Sequence, residues 1–191
     1  MNFERTAIPD VVICKPDIYG DPRGYFMESF RGDHLSEFLG YSVDFCQDNE
    51  SSSSFGVLRG LHYQLPPFAQ TKLVRVLVGK VLDVAVDMRK GSPTFGESVA
   101  VELSSENKHQ LFIPRGFAHG FVVLSESATF FYKCDNYYAP EFDTGLAFDD
   151  PELKIDWRIK LEEMMLSEKD KNQPSFSNAK YFDFDQKLYS K

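Results

Sequence analysis

Short apolar runs rich in Val, Phe and Tyr recur along most of the chain and predict β-strands. We assign strands to Val11–Cys14, Tyr25–Phe30, Lys72–Val78, Val81–Met88, Ser98–Leu103, Gln110–Ile113, Gly120–Leu124 and Ala128–Cys134. Turn segments between them, such as Gly91-Ser92-Pro93, are too short for the crossover helices that parallel strands need. The pattern therefore predicts a mainly β fold, a jelly-roll barrel of antiparallel strands with a few short helices.

Two neighbouring strands in the middle of the chain differ in their apolar pattern. Lys72–Val78 is apolar at almost every position, as is typical of a deeply buried strand. Val81–Met88 instead alternates apolar residues with positions such as Asp83 and Asp87. Because little more than Gly79 separates the two runs, we expect them to pair as a hairpin.

The remaining segments are shorter or less periodic. Asp33–Leu39 and Leu161–Leu166 have the spacing of short helices. The low-complexity run Ser51–Ser54 is predicted to be a loop. We expect one domain over residues 1–191, with a barrel core at about 8–157 and a C-terminal segment, 158–191, packed on it.

Composition narrows the classes of function. With 21 basic and 29 acidic residues, for a net charge of −8, the chain is a poor partner for nucleic acid or an anionic membrane, so an anionic ligand would need a local basic pocket. The 3 cysteines form no C-x-x-C pair, which favours free thiols in a reducing compartment and predicts a cytoplasmic protein. The sequence predicts no signal peptide, because Glu4 and Pro9 interrupt the apolar run that one needs, and it predicts no membrane-spanning segment.

One histidine lies in an apolar strand, within Val57–Gln64. On that segment alone, His62 is more often a buried core residue than a catalyst. Farther along, Pro114–His119 is similar to the P-x-G-x-x-H element of cupin barrels, which delivers a histidine to the barrel interior. The second motif makes a functional site at the barrel mouth the better explanation of His62.

The positions that hold a metal in other cupins differ in this chain. Metal-binding cupins carry an H-x-H pair and an acid six residues before a glycine, and this chain has His62, Gln64 and Lys72 at the corresponding places. A protonated lysine has no lone pair to donate, and glutamine is a weak substitute for imidazole. The sequence therefore predicts a cavity without a metal.

The residues expected in that cavity suit proton abstraction next to a carbonyl group. They are Arg59, His62, Gln64, Lys72 and His119. Histidine takes up and releases protons near neutral pH, and an ammonium group stabilises an enolate oxygen. Alternatives stay open, since His119 could simply support the barrel and Lys72 could extend to solvent.

Several motifs, in this order, resemble those of one family. They are Gly20–Ser29, Gln47–Asn49, Leu58–His62, Ser92–Gly96, Ile113–Phe121, Tyr132-Lys133 and Tyr137-Tyr138. Together they resemble the dTDP-4-dehydrorhamnose 3,5-epimerases of the cupin superfamily, over about Ile8–Trp157 and again near Leu166–Pro174. The order makes the set specific, whereas any one motif alone would be weak.

The resemblance implies three catalytic residues. His62 would be the base that removes a proton next to the sugar ketone through Nε2, Asp170 would orient its imidazole, and Tyr132 would be the acid on the opposite face of the sugar. Asp170 also fits an S-x-x-D capping box that begins at Ser167, and we expect the two roles to compete. No cofactor is expected, because no Gly-rich dinucleotide loop follows any strand.

The resemblance also implies a set of substrate-binding residues, with a dTDP-sugar as the ligand. Phosphate or sugar contacts would come from Arg23, Arg59 and Lys169; nucleotide contacts from Glu28, Gln47, Asp48 and Asn49; and sugar-oxygen contacts from Lys72 and His119. Phe26 and Tyr138 would stack on thymine, although ordinary aromatic packing explains them equally well. Asp143 stands where the family has Glu, which puts direct contact with the substrate in doubt.

We expect a homodimer, with an N-terminal strand such as Ile8–Cys14 covering a barrel edge and with Arg23 and Glu28 reaching a neighbour's pocket. The expected activity is 3,5-epimerisation of dTDP-4-dehydro-6-deoxy-D-glucose in dTDP-L-rhamnose biosynthesis. The alternatives are a related epimerase that inverts only carbon 3 or carbon 5, a metal-dependent cupin oxygenase or isomerase, and a non-catalytic sugar-binding cupin.

Overall fold

A computed structural model describes residues 1–189 of the chain. Within that range the strands are β1 (Asn2–Arg5), β2 (Val12–Lys15), β3 (Ile18–Asp21), β4 (Gly24–Met27), β5 (Gln47–Ser54), β6 (Leu58–Gln64), β7 (Lys72–Val78), β8 (Lys80–Asp87), β9 (Arg89–Lys90), β10 (Ser98–Ser104), β11 (Gln110–Ile113), β12 (Phe117–Val123), β13 (Ser127–Cys134), β14 (Asp143–Gly145) and β15 (Phe182–Asp183). The α-helices are α1 (Gly32–Leu39) and α2 (Glu168–Lys171), and short 3₁₀ helices cover Pro140–Phe142, Leu161–Glu163 and Phe176–Asn178.

Two antiparallel sheets form the body of the fold. The larger has the strand order β1-β2-β11-β7-β13-β5, and the smaller has the order β10-β8-β12-β6-β14. Side chains from both sheets share an apolar cluster between them, including Val76 of β7, Ala85 of β8 and Phe130 of β13. The prediction of a mainly β, cupin-type barrel of antiparallel strands is confirmed.

The expected hairpin across Gly79 is wrong. Strand β7 pairs with β11 and β13, whereas β8 pairs with β10 and β12 in the other sheet. Gly79 adopts a φ of 77°, and a Cβ added there would lie 1.9 Å from the carbonyl oxygen of Ser127, so the chain changes sheets at a position that only glycine fits. A tight glycine turn between apolar strands serves a hairpin and a sheet-to-sheet corner equally well, so the pattern could not separate them.

The expected loop at Ser51–Ser54 is also wrong, because these serines end β5. That strand pairs with β13 over its whole length, from Gln47 opposite Cys134 to Ser54 opposite Ser127. The inward side chains are polar because they line a cleft and not the apolar core. Apolar alternation, which usually indicates a strand, is therefore missing from this segment.

Other segments cover the outer faces of the sheets. The predicted helix over Asp33–Leu39 is confirmed as α1, whose Leu35 packs in an apolar cluster with residues of the larger sheet. The outer face of β8 packs against Phe176 and Phe182 from the C-terminal part of the chain, so β8 is buried on both faces. In the predicted helix at Leu161–Leu166, only a single 3₁₀ turn forms, since Met165 bridges to Val57 instead.

The three cysteines are free thiols, with Cys14 and Cys134 buried and Cys46 exposed. Among the helices of residues 1–189, none is both long enough and apolar enough to cross a membrane.

Candidate active site

A cleft of about 500 Å³ opens between the two sheets. Strands of both sheets line it, together with the segment that leads into α2. Six of the residues named from the sequence meet there, namely Arg59, His62, Lys72, His119, Tyr132 and Asp170.

An irregularity in β6 brings Arg59 and His62 to the same cleft. In a regular strand, residues three apart point to opposite faces. In β6, however, His62 pairs with His119 while Arg59 pairs with Phe121, so an extra residue is accommodated as a bulge. Gly60 makes the bulge possible, because its φ is 134° and an added Cβ would lie 2.4 Å from the Cα of Gly120.

The His62 ring is held by Asp170, at 2.5 Å between Nε2 and Oδ1. The other carboxylate oxygen of Asp170 accepts a hydrogen bond of 2.8 Å from the Ser167 hydroxyl, which in turn accepts the backbone N–H of Asp170 at 3.1 Å. Capping of α2 and contact with His62 therefore coexist, and their expected competition is wrong. The reason is that Ser167 caps the helix, which leaves one Asp170 oxygen for the imidazole.

Burial and hydrogen bonding act in opposite directions on Asp170. Burial raises the pKa of this carboxyl, but the hydrogen bonds from His62 and Ser167 outweigh it, so the pKa lies below its usual value. The ionised carboxylate fixes Nε2 of His62 as the bonded nitrogen. Contrary to the expectation for Nε2, Nδ1 is the nitrogen left without a protein partner among residues 1–189.

A second imidazole–carboxylate pair lies deeper in the barrel. Nε2 of His119 is 3.0 Å from both carboxylate oxygens of Asp83, and both side chains are buried. Burial raises the pKa of Asp83 and lowers that of His119, which favours a neutral imidazole. The sequence reasoning missed Asp83, although a carboxylate in the middle of a strand as apolar as β8 requires a buried partner.

Lys72 and Tyr132 approach the cleft from the larger sheet. Lys72 lies at the start of β7, and burial lowers the pKa of its ammonium group. Burial also raises the pKa of the Tyr132 phenol, which keeps it protonated at neutral pH. His62 belongs to the smaller sheet, so the imidazole and the phenol come from opposite walls of the cleft.

A smaller cavity of about 150 Å³ adjoins the cleft and shares His62, Lys72 and Tyr132 with it. Five more of the residues named from the sequence line it, namely Gln47, Asn49, Gln64, Tyr138 and Asp143.

Hydrogen bonds and an ion pair order these side chains. Nε2 of Gln47 donates to Asn49 at 2.9 Å, and the Tyr138 hydroxyl donates to Oδ2 of Asp143 at 3.0 Å. Lys169 of α2 forms an ion pair with the same Asp143 oxygen, which links the helix that carries Asp170 to the rim of this cavity.

Two other residues named from the sequence have structural partners instead. Asp48 points away from both cavities, because residues alternate along β5, and it pairs with Lys133 on the outer face at 3.0 Å. Gln64 lines the smaller cavity, but its amide bonds the backbone of Phe68, Tyr137 and Ala139 and thereby fixes the loop before β14.

The hairpin formed by β3 and β4 lies outside both cavities. Arg23 at its turn pairs with Asp21 at 2.5 Å, and neither Arg23 nor Glu28 lines the cleft. The Phe26 ring is 69% exposed, and no ring of residues 1–189 stacks on it. Within one chain, therefore, the expected nucleotide contacts from this hairpin are not assembled.

At the positions that bind metal in other cupins, Lys72 faces His62 and His119 in the cleft. In the part of the chain that the structure describes, no group of three His, Cys, Asp or Glu side chains is placed to hold a metal ion.

The fold and the cleft together define a class of protein: a cupin-type barrel that sets a carboxylate-bound imidazole opposite a protonated phenol, which is an acid–base arrangement. A family model described as dTDP-4-dehydrorhamnose 3,5-epimerase matches residues 5–178. The chain belongs to this dTDP-4-dehydrorhamnose 3,5-epimerase family.

Individual relatives agree with that assignment. A dTDP-4-dehydrorhamnose 3,5-epimerase of Shigella flexneri is 54% identical over 95% of this chain and 99% of its own length. The crystal structure of a Legionella pneumophila dTDP-6-deoxy-D-glucose-3,5-epimerase, in complex with dTDP-4-keto-L-rhamnose, has a TM-score of 0.92 and 49% identity, covering 97% of this chain and 99% of that one. A 3'-monoepimerase from Streptomyces bikiniensis, in complex with dTDP-quinovose, has a TM-score of 0.84 and 34% identity over 91% of this chain and 87% of its own.

Proposed function

We propose that the protein is a dTDP-4-dehydrorhamnose 3,5-epimerase. It converts dTDP-4-dehydro-6-deoxy-D-glucose into dTDP-4-dehydro-L-rhamnose, a step in dTDP-L-rhamnose biosynthesis. The observation that carries the proposal is the placement of the His62–Asp170 pair and the Tyr132 phenol on opposite walls of one cleft. The free cysteines agree with a reducing compartment such as the cytoplasm.

His62 is the base. The hydrogen bond between Nε2 and the Asp170 carboxylate places the ring proton on Nε2, so Nδ1 keeps the lone pair that removes a proton from the sugar. The ketone at carbon 4 acidifies the protons on carbons 3 and 5. One base can therefore serve both carbons in turn.

Lys72 stabilises the enolate that results. Its ammonium group donates a charge-assisted hydrogen bond to the oxygen that gains negative charge. When Nε2–H of a neutral His119 donates to Asp83, Nδ1 is a hydrogen-bond acceptor. Such an acceptor suits a sugar hydroxyl, which leaves the ketone oxygen to Lys72.

Tyr132 completes the inversion. Because its phenol is protonated and lies across the cleft from His62, it can return a proton to the face opposite the one that lost it. Removal from one face and return to the other changes the configuration of the carbon. No electron transfer takes place in this sequence of steps.

The nucleotide end of the substrate lies toward the smaller cavity. Arg59 and Lys169 bind the diphosphate, and Gln47, Asn49 and Tyr138 bind the thymidine. Asp143 acts through Tyr138 and Lys169, since one of its oxygens already accepts from both side chains.

A homodimer supplies the residues that a single cleft lacks. The exposed aromatic side chains of the β3–β4 hairpin are those of a protein–protein interface. Docking of this hairpin beside a neighbour's cleft brings Arg23 and Glu28 to the nucleotide and covers Phe26. The substrate site is then shared between two chains.

Solvent exchange in heavy water tests the activity. We expect incubation of dTDP-4-dehydro-6-deoxy-D-glucose with the protein to replace the protons on both carbon 3 and carbon 5 by deuterium, as followed by proton NMR. The His62→Ala variant should exchange neither, with a rate loss of about 10³-fold or more. No exchange by the unaltered protein would mean that the proposed activity is wrong.

The same spectrum tests a second candidate function. The likeness to the 3'-monoepimerase favours a single-carbon epimerase as that alternative, because His62 and Tyr132 would serve it equally well. Exchange confined to one carbon would select the single-carbon activity and exclude the double inversion.

A further inference from the structure

Residues 180–189, which we name the C-terminal strap, lie beyond the part of the chain that matches the family model. The strap begins where the Tyr63 hydroxyl donates to the carbonyl of Lys180 at 2.6 Å. It continues as β15, which pairs in parallel with β9, and the buried Phe182 ring packs 5.8 Å from that of Tyr63. The strap is thus bound to the barrel by both backbone and side-chain contacts.

The strap then runs along the turn that precedes β12, the strand of His119. The Arg89 guanidinium lies between the Phe117 ring, at 4.5 Å, and the Phe184 ring of the strap, at 5.3 Å. Gly116 has a φ of 94°, and a Cβ added there would lie 2.7 Å from Arg89 and 3.3 Å from Leu188. This glycine is therefore needed for the close approach of both the arginine and the strap.

Arg115 in the same turn binds the end of the strap. Its Nη1 donates to the carbonyl of Leu188 at 2.6 Å, and its backbone N–H donates to the Tyr189 hydroxyl at 3.1 Å. Its Nε donates to Asp135 at 3.0 Å, and the Asp135 carboxylate also accepts the backbone N–H of Thr71 at 2.6 Å.

The Tyr189 hydroxyl connects two active-site strands. It lies 2.8 Å from Oγ1 of the fully buried Thr71, the residue directly before Lys72. With its bond to Arg115, one oxygen atom therefore touches the start of β7 and the turn before β12. These are the strands that carry Lys72 and His119 into the cleft.

We propose that Tyr189 is a positioning residue, whose hydroxyl holds the starts of β7 and β12 in register and thereby places Lys72 and His119 toward the sugar. The inference rests on the proposed function for the roles of those two side chains. It assigns to the strap a contribution to catalysis that does not require contact with the substrate.

Tyr189→Phe removes the hydroxyl and keeps the ring, and Tyr181→Phe is its matched control. The Tyr181 hydroxyl also bonds within the C-terminal region, to the carbonyl of Phe176, and its ring packs on Phe95 and Phe176, away from both strands. We expect Tyr189→Phe to lower kcat about three- to tenfold, with KM within about twofold of the unaltered protein, because enolate stabilisation is realised in the transition state. Tyr181→Phe should leave kcat within about twofold, since its bond reaches neither strand.

Hydrogen–deuterium exchange of the backbone amides gives a readout that does not depend on turnover. We expect residues 114–119 to exchange faster in Tyr189→Phe than in Tyr181→Phe, at equal melting temperatures. If the two variants match in both exchange and kcat, or if the loss lies in KM alone, the positioning role is wrong. If the unaltered protein shows no turnover, the proposed function fails, while the exchange measurement still decides whether the strap orders the turn.

Discussion

The two imidazoles inside the cleft are held by carboxylates from the same chain, whereas the hairpin of β3 and β4 presents its aromatic side chains to solvent. In the cleft, Asp170 holds His62 and Asp83 holds His119. On the hairpin, the exposed fractions are 65% for Tyr19, 57% for Tyr25 and 69% for Phe26. The cleft supplies partners for its own imidazoles, and the hairpin has apolar surface that a partner would cover.

This contrast distinguishes the residues proposed for proton transfer from the hairpin residues proposed to bind the substrate. The side chains proposed as base, orienting carboxylate and acid all line the cleft of one chain. Arg23 and Glu28, by comparison, lie outside both cavities of the chain that contains them. We therefore expect substitutions in the cleft to affect proton transfer within each chain, and substitutions on the hairpin to affect binding in a neighbour.

Tyr132→Phe should have a larger effect on activity than any substitution in the hairpin, because it removes the acid and leaves the base. We expect the rate of product formation to fall about 10²- to 10³-fold. Exchange of substrate protons with heavy water should fall much less, since His62 still removes the proton and can return a deuteron to the same face. The measurement is proton NMR of exchange together with a coupled assay of product. Loss of exchange in proportion to product would contradict the assignment of base and acid to opposite walls.

Arg23→Ala tests the hairpin side of the comparison. If Arg23 binds the diphosphate, kcat/KM should fall about 10- to 100-fold, mainly through KM, because a charge-assisted hydrogen bond is lost. Arg31→Ala is the matched control, since Arg31 also pairs with an aspartate two residues away but belongs to the segment at the start of α1. Steady-state kinetics of both variants should separate a local role from a general effect of surface charge.

Co-expression of Arg23→Ala with His62→Ala chains asks whether the hairpin acts in its neighbour. A mixed dimer would contain one intact site if Arg23 reaches across, and random pairing would restore about one quarter of the unaltered activity. Activity no higher than that of the Arg23→Ala protein alone would mean that Arg23 acts in the site of its own chain.

The strands that could be predicted best from the sequence were those that are buried in the barrel and are therefore apolar. Lys72–Val78 and Gln110–Ile113 match β7 and β11 residue for residue, because a strand packed inside a barrel must be apolar. The serine-rich β5 was missed, since its inward side chains face the cleft and are polar, so the strand lacks apolar alternation. The bulge at Gly60 was missed as well, because it depends on contact with Gly120 in a distant part of the chain.

The residues of the candidate site could likewise be predicted from the sequence only in part. His62, Tyr132 and Asp170 were named through resemblance, and the structure places them along one cleft, while their roles remain predictions. Periodicity alone could not have joined His62 to Asp170, which lies 108 residues away. Conversely, alternation along β5 would have excluded Asp48 once the strand was recognised.

The smallest effect is expected for Asp170→Asn, which tests how much the buried carboxylate of the cleft contributes to the stability of the fold. Because the pKa of Asp170 in the folded protein lies below its usual value, the stabilisation is fully present above the unfolded-state pKa and is lost as the pH falls through the lower, folded-state pKa. We expect Asp170→Asn to lower the free energy of unfolding by about 1 to 3 kcal/mol near neutral pH, since hydrogen bonds from His62 and Ser167 meet a buried carboxylate. The difference from the unaltered protein should shrink below about pH 4.

Asp33→Asn is the control for that measurement, because Asp33 also accepts from a neighbouring arginine but is exposed to solvent. Urea unfolding of the three proteins, followed across the acidic range, should show a pH-dependent loss for Asp170→Asn and little change for Asp33→Asn. Equal losses would mean that the cleft stabilises its carboxylate no better than the surface does. A loss that persists unchanged at low pH would instead point to altered packing of α2, because a protonated Asp170 no longer differs in charge from the asparagine that replaces it.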